Sequence, residues 1–362
     1  MKRALISTAD LSLDELGRLL DLAAEMEREG GRALCQGQIL ATLFYEPSTR
    51  TRLSFEAAML RLGGQVIGFA DPRTSSLAKG ETLADTARMV DQYADIIVIR
   101  HPLEGSAKVV ADYADKPVVN AGDGGHQHPT QTLTDVYTLR RLKGSLEGLV
   151  VGLCGDLKYG RTVHSLAPVL AKLGARLYCI APPELAMPPE FLTEAEQRGA
   201  LLGQTASLQE VIGELDALYM TRVQRERFER EEDYERVKGT YILTKGLLAG
   251  AKADMLILHP LPRVDEIAYE VDDDERAVYF RQAGFGVAVR MALMAALLGR
   301  AKRTVLEPEP EVASTRARGW PAAARCGNPR CVTQQESYLA PEFLASGGEP
   351  ASWRCAYCER TI

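Results

Sequence analysis

A segment rich in hydroxyl and guanidinium groups follows the first apolar run of the sequence. After Phe44 the chain reads Glu46-Pro-Ser-Thr-Arg-Thr-Arg52, and a helical pattern begins near Leu53. The first N–H groups of a helix have no partners within it and lie at the positive end of its dipole, so they favour an anion. Three hydroxyls and Arg50, which can donate two hydrogen bonds to one oxyanion, strengthen this preference. The pattern predicts a phosphate-binding turn, whereas a lone Ser-Thr pair would more simply indicate a helix cap.

The same segment resembles the carbamoyl-phosphate signature of the aspartate and ornithine carbamoyltransferase family. Further matches follow in the family's order across residues 1–303: Arg100-His-Pro, His128-Pro-Thr-Gln131, Gly155-Asp-Leu-Lys-Tyr-Gly-Arg161, Thr221-Arg-Val-Gln224 and His259-Pro-Leu-Pro-Arg263. The resemblance implies transfer of a carbamoyl group from carbamoyl phosphate to an amine. It also implies a homo-oligomer with shared active sites, a trimer or a multiple of trimers.

The resemblance assigns a role to each group that the reaction needs. Donors must stabilise the negative oxygen of a tetrahedral intermediate and the departing phosphate. By resemblance, the phosphate would be bound by Ser48, Thr49, Arg50 and Thr51. The carbonyl oxygen would receive hydrogen bonds from Thr51, Arg100 and His128, and the carbamoyl amide would be held by Gln131.

A polar loop from Thr74 to Glu81 adds a contribution between subunits. By composition alone it predicts a solvated surface loop. In the family the equivalent loop reaches into a neighbour's active site, which implies that Ser75, or the adjacent Ser76, contacts phosphate and that Lys79 contacts both phosphate and aspartate. The catalytic residues expected from the resemblance are Arg50, Thr51, Lys79, Arg100 and His128.

The acceptor is predicted from charge, because aspartate presents a side-chain carboxylate and ornithine an ammonium group. Two guanidinium groups suit two carboxylates, and by resemblance Arg161 would hold the α-carboxylate while Arg222 with Gln224 would hold the side-chain carboxylate. Ornithine enzymes of the family carry a cysteine in His-Cys-Leu-Pro, where this chain has Pro260. Pro260 and Leu261 would supply backbone carbonyls toward the amino and carbamoyl nitrogens. The expected products are N-carbamoyl-L-aspartate and phosphate, in the committed step of pyrimidine (UMP) biosynthesis.

Other interpretations of these residues remain open at this point. His126 and His128 form a His-x-His pair that could bind a metal, and Gly152, Gly155 and Gly160 resemble a nucleotide-binding turn without its Gly-x-Gly-x-x-Gly spacing. The chain could also be a carbamoyltransferase with another amine acceptor, or a non-catalytic regulatory or scaffolding paralogue.

Four cysteines near the C-terminus predict a zinc site. Cys326 and Cys331 form one close pair, and Cys355 and Cys358 form the other. Four thiolates fill a tetrahedral coordination sphere, so the zinc would be structural and no cofactor is expected for catalysis. Two disulfides or a reactive thiol cluster are the alternatives. The spacing also resembles the zinc domain of the regulatory chain that accompanies some bacterial members of the family. No segment is available for that chain's nucleotide-binding domain, which puts allosteric control by nucleotides in doubt.

The elements that position these residues are of α/β type. Apolar runs at 39–44, 95–99, 149–153, 177–181 and 255–258 alternate with amphipathic stretches, which predicts parallel sheets. The expected domains are 1–143 for carbamoyl phosphate, completed by a helix near 287–300, and 144–286 for aspartate, with an interdomain cleft between them. A linker at 304–325 would lead to a β-rich zinc module at 326–362. We expect that module to dock on a catalytic domain and to brace or link trimers.

Composition limits the partners and the location. With 46% hydrophobic residues, 25% charged residues and a net charge of −6, the chain has the composition of a soluble globular protein, and nothing favours nucleic acid or a membrane surface. The N-terminus lacks the pattern of a signal peptide, and no apolar stretch is long enough to span a bilayer. A cytoplasmic location is therefore expected.

Overall fold

The structure, a computed structural model, describes residues 4–31, 33–71, 80–225, 228, 230–307, 325–346 and 352–361. The chain divides into unit 1, Met1–Thr130 with Val287–Ile362, and unit 2, Gln131–Gly286. The strands are β1 (Ile39–Phe44), β2 (Gln65–Phe69), β3 (Ile96–His101), β4 (Val118–Asp123), β5 (Val150–Cys154), β6 (Arg176–Ile180), β7 (Leu201–Thr205), β8 (Ala217–Met220), β9 (Leu256–Leu258), β10 (Phe343–Ser346) and β11 (Ser352–Cys355). The α-helices are α1 (Leu13–Glu29), α2 (Thr49–Arg61), α3 (Leu83–Asp91), α4 (Ser106–Tyr113), α5 (Pro129–Lys143), α6 (Arg161–Lys172), α7 (Thr193–Gln197), α8 (Leu208–Val211), α9 (Glu231–Val237), α10 (Lys245–Leu248) and α11 (Tyr279–Leu297).

Unit 1 contains a parallel four-stranded sheet in the order β2-β1-β3-β4. Every residue of β3 and β4 is buried, as expected for strands of a parallel sheet that is covered on both faces. The strand order reverses at β1, because β2 lies on one side of it and β3 on the other. Such a reversal opens a crevice at the carboxyl ends of β1 and β3, where open α/β sheets bind ligands.

Unit 2 contains a parallel five-stranded sheet in the order β7-β6-β5-β8-β9. Its central strands β5 and β8 are fully buried. The strand order reverses between them, since β6 follows β5 on one side and β8 lies on the other. The carboxyl ends of β5 and β8 therefore form the second crevice of this kind.

The C-terminal module, residues 325–346 and 352–361, belongs to unit 1 and shares a hydrophobic core with the α/β part of that unit. Its antiparallel hairpin β10–β11 places Phe343 opposite Cys355. Phe343 and Leu339 belong to the same buried cluster as Leu83 of α3 and Val110 of α4. The module therefore covers apolar surface of α3 and α4 in unit 1.

The predicted fold class, parallel α/β domains with a small β-rich cysteine module, is confirmed. Two helices begin earlier than the sequence predicted: α2 at Thr49 rather than near Leu53, and α11 at Tyr279 rather than at Val287. The start of α11 was obscured by Gly284 and Gly286, because glycine disfavours a helix interior. Within the described residues, no helix has both the length and the apolar character needed to cross a bilayer.

Candidate active site

The predicted phosphate turn is the first turn of α2, directly after β1. Thr49–Thr51 are the first three residues of the helix, and Ser48 precedes it. At α1 and α3 the preceding Ser12 and Thr82 accept an N–H from the helix at 3.2 and 3.1 Å. Ser48 makes no such cap at α2. The hydroxyl of Ser48 is therefore not used to satisfy the first N–H groups of α2, a suitable arrangement for an anion.

The two arginines of this turn differ in their surroundings. Arg52 lies 3.5 Å from Glu56, one helical turn further along α2. Arg50 is exposed. This difference supports the choice of Arg50 rather than Arg52 as the guanidinium that binds a ligand.

Arg100 lies near the carboxyl end of β3 and is almost fully buried. Its Nη1 donates a hydrogen bond to the carbonyl of Ala121 at 3.2 Å, and its Nη2 lies 3.1 Å from Oε2 of Glu46. A buried guanidinium needs such partners, and they also fix its orientation. Arg100 is thereby held between Glu46, which follows β1, and Ala121 within β4.

His128 is buried directly before α5. A tight turn leads to it from the end of β4. The N–H of Asp123 donates to the carbonyl of Gln127 at 3.3 Å, and the N–H of Gln127 donates to the Asp123 carboxylate at 3.1 Å. Arg100 consequently lies at the end of β3, while Ser48 and His128 follow β1 and β4, its two neighbours in the sheet.

His126, within this turn, is held between two carboxylates. Its Nδ1 lies 2.9 Å from Asp123 and its Nε2 lies 3.0 Å from Glu359 of the C-terminal module. Burial lowers the pKa of His126, but Asp123 and Glu359 more than offset this effect, so the pKa lies well above its usual value. His126 is therefore an imidazolium that uses both ring nitrogens, which leaves neither for the His-x-His metal site considered above.

Gln131, in the first turn of α5, is part of a buried network in unit 2. Its amide donates to Asp135 at 2.7 Å. The same carboxylate accepts hydrogen bonds from Gln282 at 2.7 Å and Tyr219 at 2.8 Å. The network fixes the amide of Gln131 so that its carbonyl oxygen can act as an acceptor.

Arg161 is the first residue of α6 and follows β5 through a strained turn. Gly155 has φ +115°, and a Cβ there would lie 2.3 Å from the carbonyl oxygen of Thr221, so glycine is required. The next residue, Asp156, is buried. Its carboxylate accepts the N–H of Tyr159 at 2.9 Å and the N–H of Gln224 at 3.2 Å.

Asp156 thereby joins the segments that follow β5 and β8. Burial raises the pKa of Asp156, and the N–H groups of Tyr159 and Gln224 offset this only in part. The side-chain amide of Gln224 donates to the carbonyl of Tyr159 at 2.9 Å, which adds a second bond between the segments. Arg161, Arg222 and Gln224 are all half-buried at this crevice of unit 2.

The turn with Pro260 and Leu261 follows β9. The N–H of Leu261 donates to Nδ1 of His259 at 2.7 Å, and Nε2 of His259 lies 2.6 Å from Glu266. Burial lowers the pKa of His259, so a neutral ring that donates from Nε2 and accepts at Nδ1 fits both bonds. Leu261 has φ +53°, a left-handed conformation that costs a leucine free energy and is found at ligand-binding turns.

The predicted metal site is confirmed as a cluster of four buried thiols. The Sγ atoms of Cys326, Cys331, Cys355 and Cys358 all lie within 4.8 Å of one another, and no other such group occurs among the described residues. The separations Cys326–Cys358 and Cys331–Cys355 are 3.6 and 3.9 Å. Tetrahedral zinc with bonds of about 2.3 Å places its sulfurs about 3.8 Å apart. The donor set and its spacing fit zinc, and these separations exceed a disulfide bond of about 2.0 Å.

Some expected residues cannot be placed, and others were missed. Ser75, Ser76 and Lys79 lie outside the described residues, as does most of the predicted linker. Sequence reasoning did not select Asp123, Asp135 or Asp156, the buried carboxylates that organise the turns described above. Asp135 could have been found, since it follows Gln131 by one helical turn.

Comparisons with known proteins cover both units and the C-terminal module. Residues 3–141 match the family described as aspartate/ornithine carbamoyltransferase, carbamoyl-P binding domain. Residues 147–297 match its Asp/Orn binding domain. Residues 323–362 match the metal binding domain of the aspartate carbamoyltransferase regulatory chain.

Individual relatives agree with these matches. The chain is 55% identical over 302 residues to the aspartate carbamoyltransferase catalytic subunit of Clostridium perfringens (strain SM101 / Type A), which covers 82% of this chain and 98% of the relative. The solved catalytic subunit of M. jannaschii aspartate transcarbamoylase has TM-score 0.76 and 46% identity, covering 83% of this chain and 98% of that one. The Trypanosoma cruzi enzyme in complex with N-(phosphonacetyl)-L-aspartic acid has TM-score 0.77 and 39% identity, covering 81% and 95%.

Proposed function

The chain belongs to the aspartate/ornithine carbamoyltransferase family, and we propose that it transfers the carbamoyl group of carbamoyl phosphate to L-aspartate. The products are N-carbamoyl-L-aspartate and phosphate, and the reaction is the committed step of pyrimidine biosynthesis. One observation carries the proposal: Ser48 and Arg100 in unit 1, and Arg161 and Arg222 in unit 2, lie at the carboxyl ends of the strands where the order of each sheet reverses. We assign carbamoyl phosphate to residues 1–143 with the helix near 287–300, and aspartate to residues 144–286.

Carbamoyl phosphate is bound by the turn that opens α2. The N–H groups of this turn and the hydroxyls of Ser48, Thr49 and Thr51 surround the phosphate, while Arg50 neutralises it. The Ser48 hydroxyl makes no capping hydrogen bond to α2, which supports this assignment. Gln131 accepts a hydrogen bond from the carbamoyl amide through its carbonyl oxygen.

The carbonyl oxygen of the carbamoyl group is polarised by Thr51, Arg100 and His128. Because Arg100 is held by Ala121 and Glu46, its donors are fixed before the substrate arrives. Fixed donors stabilise the negative oxygen of the tetrahedral intermediate without reorganisation, and each is typically worth about 10²–10³ in rate. His128 acts as a donor in this scheme, since the departing phosphate can itself accept the proton of the attacking amine.

Aspartate is recognised by two guanidinium groups of unit 2. Arg161 binds the α-carboxylate, and Arg222 with Gln224 binds the side-chain carboxylate. The carbonyls of Pro260 and Leu261 accept hydrogen bonds from the amino and carbamoyl nitrogens. Two cations suit a dicarboxylic amino acid and disfavour ornithine, whose side chain is itself a cation.

A zinc ion would be held by Cys326, Cys331, Cys355 and Cys358. Bound there, zinc cross-links the two ends of the C-terminal module and supplies folding free energy. Four thiolates leave no coordination position for a substrate.

We also propose a homo-oligomer, a trimer or a multiple of trimers. In it, Ser75 and Lys79 reach the active site of a neighbouring subunit. Leu53 and Leu60, two turns apart on one face of α2, are 51% and 61% exposed, and Ile67 on the edge strand β2 is 41% exposed. Apolar side chains exposed on this part of unit 1 fit burial against another copy. The mass in solution tests the proposal, and a monomer at micromolar concentration would refute it.

The experiment that tests the function measures product formation by the purified full-length chain. With carbamoyl phosphate and L-aspartate, we expect N-carbamoyl-L-aspartate and phosphate in equal amounts. With L-ornithine in place of aspartate, we expect no carbamoylated product. Preference for ornithine, or no transfer to either amine, would refute the proposal.

A further inference from the structure

The C-terminal module is bonded to the turn that carries His128, although the two are far apart in sequence. Glu359 lies 3.0 Å from Nε2 of His126, across a sequence separation of 233 residues. The other ring nitrogen of His126 lies 2.9 Å from Asp123. The side chains of His126 and Asp123 are 8% and 1% exposed, so this pair is shielded from water, while Glu359 is 30% exposed. Charge-assisted hydrogen bonds are strong in such surroundings.

Asp123 is the centre of the turn to which His126 belongs. Besides His126, its carboxylate accepts hydrogen bonds from Asn120 at 2.9 Å, from the N–H of Gly105 at 2.8 Å and from the N–H of Gln127 at 3.1 Å. The turn ends at Gln127, and His128 is the next residue. A displacement of His126 and Asp123 is therefore passed along the backbone to His128.

The backbone of Glu359 is an independent observation. Glu359 has φ +58°, a conformation in which glycine is favoured and a glutamate is strained. Its N–H donates to the carbonyl of Cys355 at 3.0 Å, which closes the turn after the second cysteine pair. A glycine would make the same turn without strain, so the conformation of Glu359 agrees with a role for its side chain.

A second set of contacts, through Glu104, links the module to the same turn. Glu104 is 1% exposed. Its carboxylate accepts a hydrogen bond from Asn328 at 2.7 Å and lies 3.3 Å from Arg360. A Cβ added at Gly124, inside the turn, would lie 2.7 Å from the Cγ of Glu104. The module thus fixes the position of Glu104, and Glu104 packs against the turn.

We infer that Glu359 and His126 are positioning residues for carbamoyl transfer: they hold the 123–127 turn so that the His128 imidazole meets the carbonyl oxygen of carbamoyl phosphate. This inference rests on the proposed function of His128. It gives the C-terminal module a part in turnover, in addition to its metal-dependent folding. Neither residue touches the substrate in this scheme.

The test compares two identical substitutions in the C-terminal module of the full-length, metal-containing protein. Glu359→Gln keeps the size of the side chain and removes the charge that orders His126, while Glu342→Gln makes the same change at an exposed position of the module. We expect Glu359→Gln to lower kcat about tenfold, because small displacements of a donor are costly in the transition state. We expect its KM for aspartate to stay within a factor of two, and Glu342→Gln to keep kcat within a factor of two.

Two further measurements separate positioning from a general loss of structure. His126→Asn and the double variant with Glu359→Gln should show the same kcat as Glu359→Gln alone, since both substitutions break one chain of contacts. In ¹⁵N-histidine NMR spectra, the ring signals of His128 should shift in Glu359→Gln and not in Glu342→Gln, whether or not substrate is present.

Other outcomes would overturn the inference. Wild-type kcat with unshifted His128 signals in Glu359→Gln would do so, as would an equal loss of kcat in Glu342→Gln. An inactive wild type with shifted signals would instead count against the proposed function while supporting the coupling of module and turn. The two claims can therefore fail separately.

Discussion

The two units place polar residues at the same topological position but support them differently. In unit 1, Arg100 and His128 are buried at the ends of strands, and the C-terminal module braces the turn before His128. In unit 2, Arg161 and Arg222 are half-buried on segments that are joined through the buried carboxylate of Asp156 and the side-chain amide of Gln224. Both crevices follow from the strand order of a parallel sheet.

This difference matches the two tasks of the reaction. Polarising a carbonyl requires donors whose positions are fixed before the transition state forms. Gripping the carboxylates of an amino acid requires charge and a fork-shaped donor, and it tolerates some adjustment of the loops. The comparison teaches that the sheet determines where a ligand binds, while the groups behind the crevice determine how rigidly it is held.

Removal of the metal should have the largest effect, and it should affect the stability of unit 1 much more than that of unit 2. Structural zinc contributes on the order of 10 kcal/mol of binding free energy. Because the C-terminal module shares its core with α3 and α4, we expect a chelator to expose unit 1 and to spare unit 2. Hydrogen exchange resolved by peptide measures this directly. Cys358→Ser should act like the chelator, and Cys179→Ser, a buried thiol of unit 2, should not alter the metal content. Equal loss of protection in both units would contradict the comparison.

Loss of Arg50 should have the next largest effect. We expect Arg50→Gln to lower kcat by about 10²–10³, since the developing charge of the phosphate loses its cation in the transition state. Arg52→Gln is the matched control, because Arg52 is paired with Glu56, and it should lower kcat less than about threefold. Steady-state rates at saturating aspartate measure both. An Arg52→Gln enzyme as slow as Arg50→Gln would show that the turn has been assigned wrongly.

Loss of Arg222 should weaken one substrate only. We expect Arg222→Gln to raise the KM for aspartate about tenfold to a hundredfold, as expected for a charged hydrogen bond worth about 1.5–3 kcal/mol. The KM for carbamoyl phosphate should change less than about twofold. Arg222→Lys should be intermediate, because lysine keeps the charge and loses the fork. A change in both KM values to the same extent would contradict the assignment of Arg222 to aspartate alone.

The pH dependence of stability should show the smallest effect and should belong to unit 1. The folded pKa of His126 is raised between Asp123 and Glu359, with Arg354 acting on Glu359, so its contribution is fully present below pH 6.5 and is lost as pH rises through the raised value. The wild type should therefore exceed His126→Asn in unfolding free energy by about 1 kcal/mol at pH 6, and by less at pH 9.5. Denaturant titrations at both pH values measure the two differences. A difference that grows with pH would contradict the assignment of His126 as an imidazolium.

Much of the candidate site could be proposed from local sequence patterns. The Ser48–Arg52 segment and the two cysteine pairs are short, and their chemistry depends on neighbours in the chain, so both could be recognised before the fold was known. The β/α alternation likewise predicted the parallel sheets, and with them the strand end where Arg100 lies. The strand before Arg222, β8, was not among the predicted runs. The helix starts were less certain, because the glycines in the first turns of α11 oppose helix formation.

Long-range contacts could not be predicted. The bond between Glu359 and His126 joins residues that only the folded core of unit 1 brings together, and a glutamate after a cysteine pair usually indicates a solvated surface. Asp156 was visible within a matched motif, but its role depends on the N–H of Gln224, which follows a different strand. Buried carboxylates of this kind are recognised only when their donors are known.

The most direct test of the division between the units is a table of four KM values, for carbamoyl phosphate and for L-aspartate in Arg50→Gln and in Arg222→Gln. The account predicts that the first variant is impaired toward carbamoyl phosphate and the second toward L-aspartate, with each retaining a near-normal KM for the other substrate. If the pattern were reversed, or if each variant lost both substrates equally, the assignment of one substrate to each unit would be wrong.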